Sequence, residues 1–379
     1  MDNQRLILFI VFSFSLLMLW ESWQDKNAPP ADATTAATHQ AAPTPTLGKA
    51  DTTGAPAASA GLEAGQRARV ETDLYSAEID AHGGDLRSLQ LRNYRETDDK
   101  NATFTLFSGD ANKPYVAQTG MVGDGLPTHR SVYQLNPGDY TLAGGAAQLV
   151  IPLTWTDPAS GVTVEKTYRF KRGSYRIAVE TRVINRGAKP VALSPYYQLT
   201  RHGEAPRGSS FFLHTFTGPA FYTDAKKFQK IDFKDIDEGK SEFEKAAKDG
   251  WVGLVQHHFV AAWLPKEGTA RENYTRALGD GLYSAGTILN EGTLAPGQEK
   301  SFTVTLFAGP QTQELLEQAA PGLDLARDYG WLTPIAFPIF LLPRGGVSAL
   351  KGYVTGFFYL AAWGPLYVIL HMILMLKAG

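Results

Sequence analysis

The 379-residue chain contains no cysteine, which removes disulfides, thiolate metal ligands and a cysteine nucleophile together. It has no Lys/Arg-rich block, and its formal net charge is only −2. A nucleic-acid binder would present a basic face, so that class has little electrostatic support. Between about Asn27 and Gln66 large apolar residues are almost missing, and Ala, Thr, Pro and Gly replace them. Such a stretch cannot bury enough surface to offset its chain entropy, so residues 25–66 are expected to form a flexible tether. The remainder is not short of core material, since 44% of the chain is apolar and 11% aromatic.

What the chain does have is concentrated at its two ends. Leu6 to Trp20 reads LILFIVFSFSLLMLW, uncharged, with Arg5 before it and Glu21 and Trp23 after it. A cleaved leader would place small residues directly after the apolar run. Trp20 and Trp23 instead suit an interface, so residues 1–24 are expected to be an uncleaved transmembrane signal-anchor. The run is short for a hydrocarbon core of about 30 Å, and Trp23 is expected to help complete the span. Arg5 favours a cytoplasmic N-terminus by the positive-inside rule. At the other end, Val354 to Leu376 is apolar with His371 and no formal charge, long enough to cross with some tilt. Two crossings put the intervening body outside and the C-terminus inside, with Lys377 at the cytoplasmic edge.

From Arg69 to about Pro310 the texture is that of short strands. Val70–Ile79, Val162–Phe170, Tyr175–Val183 and Ser301–Phe307 alternate apolar with polar residues, the signature of strands with one buried face. Gly83-Gly84-Asp85, Asp157-Pro158, Asn185-Arg186-Gly187 and Pro296-Gly297 supply turns between them. The spacing predicts a mainly β, antiparallel sandwich over residues 67–325 rather than βαβ units. Ala225–Gly250, dense in Lys, Asp and Glu, reads as an exposed excursion with a helical turn, and Gln311–Leu325 reads as a helix. Trp331–Leu342 is interrupted by Pro334 and Pro338 and too short to span, so residues 326–350 are expected to lie in the interface with Trp331 as an anchor.

Several phrases in this order resemble the YidC family of membrane-protein insertases. They are MDNQRLILFIVFSFSLLMLWESWQ at the N-terminus, IDAHGGDLRSLQL (Ile79–Leu91), YVAQTG (Tyr115–Gly120), KTYRFKRGSY (Lys166–Tyr175), VINRG (Val183–Gly187), GWVGLVQHHFVAAW (Gly250–Trp263), FAGP (Phe307–Pro310) and DYGWL (Asp328–Leu332). Their collinearity over residues 1 to about 340 carries the resemblance. It implies a β-super-sandwich similar to galactose-mutarotase-like domains, standing in the periplasm between transmembrane helices. It implies a non-enzymatic chaperone and insertase without cofactors, acting on nascent membrane proteins within the lipid bilayer, alone or with Sec translocon components. The family pattern breaks after about Phe340: Val354–Leu376 contains no arginine to match the intramembrane arginine of the family's hydrophilic groove. The tail from Lys351, residues 351–379, resembles a membrane stretch of conjugal-transfer TraG-like proteins, which suggests a truncated or rearranged sequence with an atypical C-terminal transmembrane helix.

Other candidate residues have blander readings. His257 and His258, as neighbours on a strand, would point to opposite faces and could not readily share a metal ion. Glu204 near His202 and Arg201 evokes a mutarotase acid/base pair, but convergence on a sugar ring is not visible in sequence. Asn101 and Asn273 fit a glycosylation pattern. Trp251, Trp263, Phe211 and Phe212 are expected in the sandwich core. His371 is an ionisable group at membrane depth and hence a functional candidate, with a neutral contact to a helix neighbour as the simpler account.

Overall fold

Strict alternation gives the strands Val162–Lys171 and Arg176–Asn185 one dry face and one wet face. Val162, Val164, Tyr168 and Phe170 are buried, as are Ile177, Val179 and Val183 on the partner strand. The wet face carries charges in register across three strands: Arg169 pairs with Glu180 at 2.7 Å, and Arg182 bridges Glu165 at 3.2 Å and Glu299 at 2.6 Å. The structure is a computed structural model that describes residues 62–96, 99–123, 125–204 and 216–327.

These two strands belong to a nine-stranded sheet. Its order is Lys227–Lys230, Gly218–Thr223, Trp251–Gln256, Phe259–Leu264, Glu299–Pro310, Arg176–Asn185, Val162–Lys171, Gln148–Asp157 and Gln134–Leu135. The facing ten-stranded sheet runs Ala246–Ala247, Arg271–Gly279, Leu282–Leu289, Ser194–His202, Tyr115–Val122, Asp85–Arg95, Tyr75–Asp80, Arg67–Glu71 and Gly138–Thr141, with Thr103–Phe107 also on Asp85–Arg95. Val191–Ala192 and Thr293–Leu294 form a small separate ladder. The described part is thus a mainly β, antiparallel two-sheet sandwich. Its parallel pairing joins Arg67–Glu71 to Gly138–Thr141.

The core lies between the sheets. Trp263, Tyr197, Tyr75, Phe170, Leu86 and Leu306 are sealed there, and polar tips of the large rings find partners across the gap. The Trp263 indole N–H donates to the Gln198 carbonyl oxygen at 3.1 Å, and the Tyr75 hydroxyl donates to that of Ala308 at 2.7 Å. Trp251 is buried as expected, whereas Phe211 and Phe212 lie outside the described residues.

Two expectations need correction. The alternating run Val70–Ile79 is not one strand: it folds back as the hairpin Arg67–Glu71 and Tyr75–Asp80. Thr72 makes the turn, its hydroxyl oxygen accepting from the amides of Leu74 at 3.2 Å and Tyr75 at 2.9 Å. A hydroxyl residue closing a tight turn keeps the period-two pattern running through the bend. The charged stretch Ala225–Gly250 does hold a helical turn, Phe233–Asp237, but it is fastened to the core. Ile231 and Ile236 are buried, Phe243 stacks on Phe221 at 4.4 Å, and the Arg271 guanidinium donates to the carbonyls of Lys248, Gly250, Lys266 and Thr269. Toward the C-terminal side, a helix spans Gln313–Ala319 and a 3-10 turn Leu323–Ala326. No helix among the described residues is long and apolar enough to cross a membrane.

Candidate functional site

The densest polar chemistry among the described residues is sealed between the sheets. In VTVEKTYRF the inward phase reads Val162, Val164, Lys166, Tyr168, Phe170, so the alternation that builds the strand drives an ammonium into the core. Lys166 is 2% exposed. Its Nζ donates to the carbonyl oxygen of Gly83 at 2.7 Å and of Gly84 at 3.4 Å, and lies 4.5 Å from the Tyr133 ring centroid. The Tyr168 hydroxyl also donates to Gly84 O, at 2.7 Å. Gly83 and Gly84 have φ of 73° and 57°, a left-handed bend open to glycine at little cost. That bend turns both carbonyls inward.

Asp85 follows the bend and is fully buried. Its Oδ2 accepts from the Gln118 side-chain amide at 2.9 Å and lies 3.7 Å from Arg87 Nε, while Oδ1 has no hydrogen-bond partner. From Gln118 the network runs on through Gln198 and Thr200, at 2.9 and 2.8 Å, to the Tyr274 hydroxyl on Gln198 at 2.8 Å. Burial pushes the Asp85 carboxyl up to about 7, against the pull of Lys166, Arg87 and Gln118. Burial likewise brings the Lys166 ammonium down to about 8, against the attraction of Asp85. Desolvation disfavours the charged form of either group, and the pair holds its charges by mutual attraction. The cluster has no opening wide enough for a substrate. It is built to register two sheets.

The sequence-level candidates fall elsewhere. Arg5, Trp20, Trp23, Trp331, His371 and Lys377 lie outside the described residues. His257 and His258 are not on a strand: they form the turn between Trp251–Gln256 and Phe259–Leu264, with His257 at φ 20° and ring centroids 3.7 Å apart. The expected opposite-face geometry therefore does not apply. Among the described residues no three His, Asp or Glu side chains gather as a metal site. Arg201 is buried under Tyr115 and donates to Gln256, while Glu204 is exposed on Lys113 at 2.6 Å, so the two do not converge. Asn273 is buried with its amide on the Glu244 carbonyl at 3.0 Å, a poor glycan acceptor. The sequence reading passed over Asp85 and Lys166, although a lysine in the apolar phase of a strand was a readable signal.

The class of protein to which this two-sheet sandwich belongs comes from comparison with known sequences. Residues 67–342 match the YidC periplasmic domain. The membrane protein insertase YidC of Thiobacillus denitrificans is 67% identical over 344 residues, 90% of this chain and 63% of that protein. That of Methylobacillus flagellatus is 43% identical over 387 residues, 99% of this chain and 67% of that protein. The chain belongs to the YidC family. It spans about two thirds of the length of these relatives. A galactose mutarotase related enzyme from Lactobacillus acidophilus superimposes with a TM-score of 0.38 at 11% identity, covering 64% of this chain and 97% of that one. A likeness that loose says nothing about sugar chemistry here.

Proposed function

We propose that this chain serves in the insertion and folding of inner-membrane proteins, with the β-sandwich as its periplasmic accessory body. The observation that carries this is 67% identity over nine tenths of the chain to a protein named as a membrane protein insertase. In this reading Leu6–Trp20 and Val354–Leu376 cross the bilayer. Arg5 and Lys377 stay on the cytoplasmic side, and Trp20, Trp23 and Trp331 sit at the headgroups. His371 is the ionisable group that this reading places at membrane depth. The clients are nascent membrane proteins, whose polar flanks need a partly hydrated path through the bilayer. The protein is not an enzyme in this account, and Arg201, His202 and Glu204 carry no sugar chemistry.

Exchange of the periplasmic body tests the proposal. A full-length YidC relative whose own domain is replaced by residues 67–327 of this chain should restore growth to a strain depleted of its insertase. Failure of a stably produced hybrid would overturn the accessory role. A reporter fused near residue 200 should read as periplasmic, and the protein should resist carbonate extraction. The alternative reading is a membrane-tethered periplasmic module that docks the Sec translocon through its β body; co-purification of the membrane-bound chain with translocon subunits, without insertase rescue by the hybrid, would favour it.

A further inference from the structure

A second polar feature lies beside the Asp85–Lys166 pair. Thr119 and Tyr197 face each other as direct partners on neighbouring strands of the ten-stranded sheet, and Lys166 and Thr181 do the same on the nine-stranded sheet. These two cross-strand pairs, one from each sheet, line a common cavity of about 10 Å³ together with Tyr133 and the apolar side chains of Met121, Val164 and Pro195. Thr119 is 3% exposed and Tyr197 1%. The Thr119 hydroxyl has no hydrogen-bond partner in the protein, and the Tyr197 hydroxyl has none of regular geometry, the Thr181 hydroxyl being the side-chain group it lies against. Lys166 uses its ammonium on two carbonyls, and an ammonium has three N–H donors.

We propose that this cavity is an internal hydration site, holding one water molecule that hydrogen-bonds Thr119, Tyr197 and Lys166 and so ties the two sheets together. The size matches a single solvent molecule. The chemistry selects water over an ion. The Lys166 ammonium repels a cation, and Asp85 beside it already supplies the countercharge that an anion would have to displace. The two hydroxyls can each donate or accept, and a water satisfies one of each while accepting from the ammonium. Left without water, the Thr119 hydroxyl would be unsatisfied and the Tyr197 hydroxyl poorly satisfied in a buried core, and each would cost stability. An apolar cavity stays dry, but a polar one with three partners does not.

The full chain in detergent micelles, unfolded with guanidinium chloride and followed by tryptophan fluorescence, decides the matter by the sign of the effect. With a bound water, Thr119→Val and Tyr197→Phe each strip a hydrogen bond and should lower the folding constant about five-fold. In a dry cavity the same changes delete an unsatisfied group, and both variants should be more stable than the parent, which would overturn the proposal. A crystal structure of the unaltered chain provides a measurement that no variant can spoil. A density peak about 2.7–3.2 Å from Thr119 Oγ1 and Lys166 Nζ is expected, and xenon entering the cavity under pressure would refute it.

Discussion

Replacing Lys166 with methionine separates the electrostatics of the buried cluster from its packing. Methionine fills a similar volume, so the change removes mainly the charge and its donors. Gly84 O keeps the Tyr168 hydroxyl, but Gly83 O loses the Nζ donor at 2.7 Å. An orphaned buried acceptor costs about 1–3 kcal/mol. Asp85 also loses an attractive neighbour, keeping Arg87 at 3.7 Å and Gln118 at 2.9 Å. Breaking a buried pair from one side costs about 3–5 kcal/mol, and the remaining guanidinium argues for the lower end. The pH dependence distinguishes the two contributions. The Asp85 value is raised in the fold to about 7, so the folded state holds its proton more tightly than the unfolded chain. The stability from that proton is fully present below the ordinary carboxylate range and is lost as pH rises toward 7. Without Lys166 the carboxyl moves higher still, each further unit being worth about 1.4 kcal/mol. The loss in Lys166→Met should therefore be near 3 kcal/mol at pH 8 and about 1–2 kcal/mol at pH 5. Guanidinium chloride unfolding at the two pH values measures it. A loss independent of pH, or a variant more stable than the parent at pH 8, would refute the coupling between the two groups.

Trp263→Ala should cost about 3–5 kcal/mol in the same assay, because the ring is fully buried against Tyr197 at 5.1 Å and its N–H serves the Gln198 carbonyl. Gly250 has φ 81°, and a Cβ there would run into the Tyr222 carbonyl oxygen. Gly250→Ala should thus lose more than the roughly 1–2 kcal/mol of an ordinary left-handed residue, seen as a lowered melting temperature. Arg182→Ala breaks two surface pairs on the wet face and should have a small effect that vanishes as salt is raised; a large salt-independent loss would contradict the reading of that face as solvated.

Alternation was a faithful guide where one strand face meets water. Val162–Phe170 and Ser301–Phe307 fall within the strands Val162–Lys171 and Glu299–Pro310, and Tyr175–Val183 matches Arg176–Asn185 from its second residue on. It failed where both faces are covered. Trp251–Gln256 and Phe259–Leu264 are buried almost throughout, so GWVGLVQHHFVAAW shows no period, and its turn histidines pass for strand residues. The Thr72 bend is hidden for the opposite reason, its polar residues keeping phase. The buried cluster depends on contacts far apart in sequence, Lys166 with Gly83 and Gln198 with Gln118, which no local window contains. Lys166 in an apolar phase was nevertheless visible, and a charged residue there needs a partner.

The strand Arg67–Glu71, which follows directly on the Pro- and Ala-rich stretch, is laced on both flanks: antiparallel to Tyr75–Asp80 on one side and parallel to Gly138–Thr141 on the other. A tug transmitted along the chain from residues before Arg67 would load these ladder bonds together, in shear, instead of peeling them one at a time. The sandwich is thereby hard to unravel from that end.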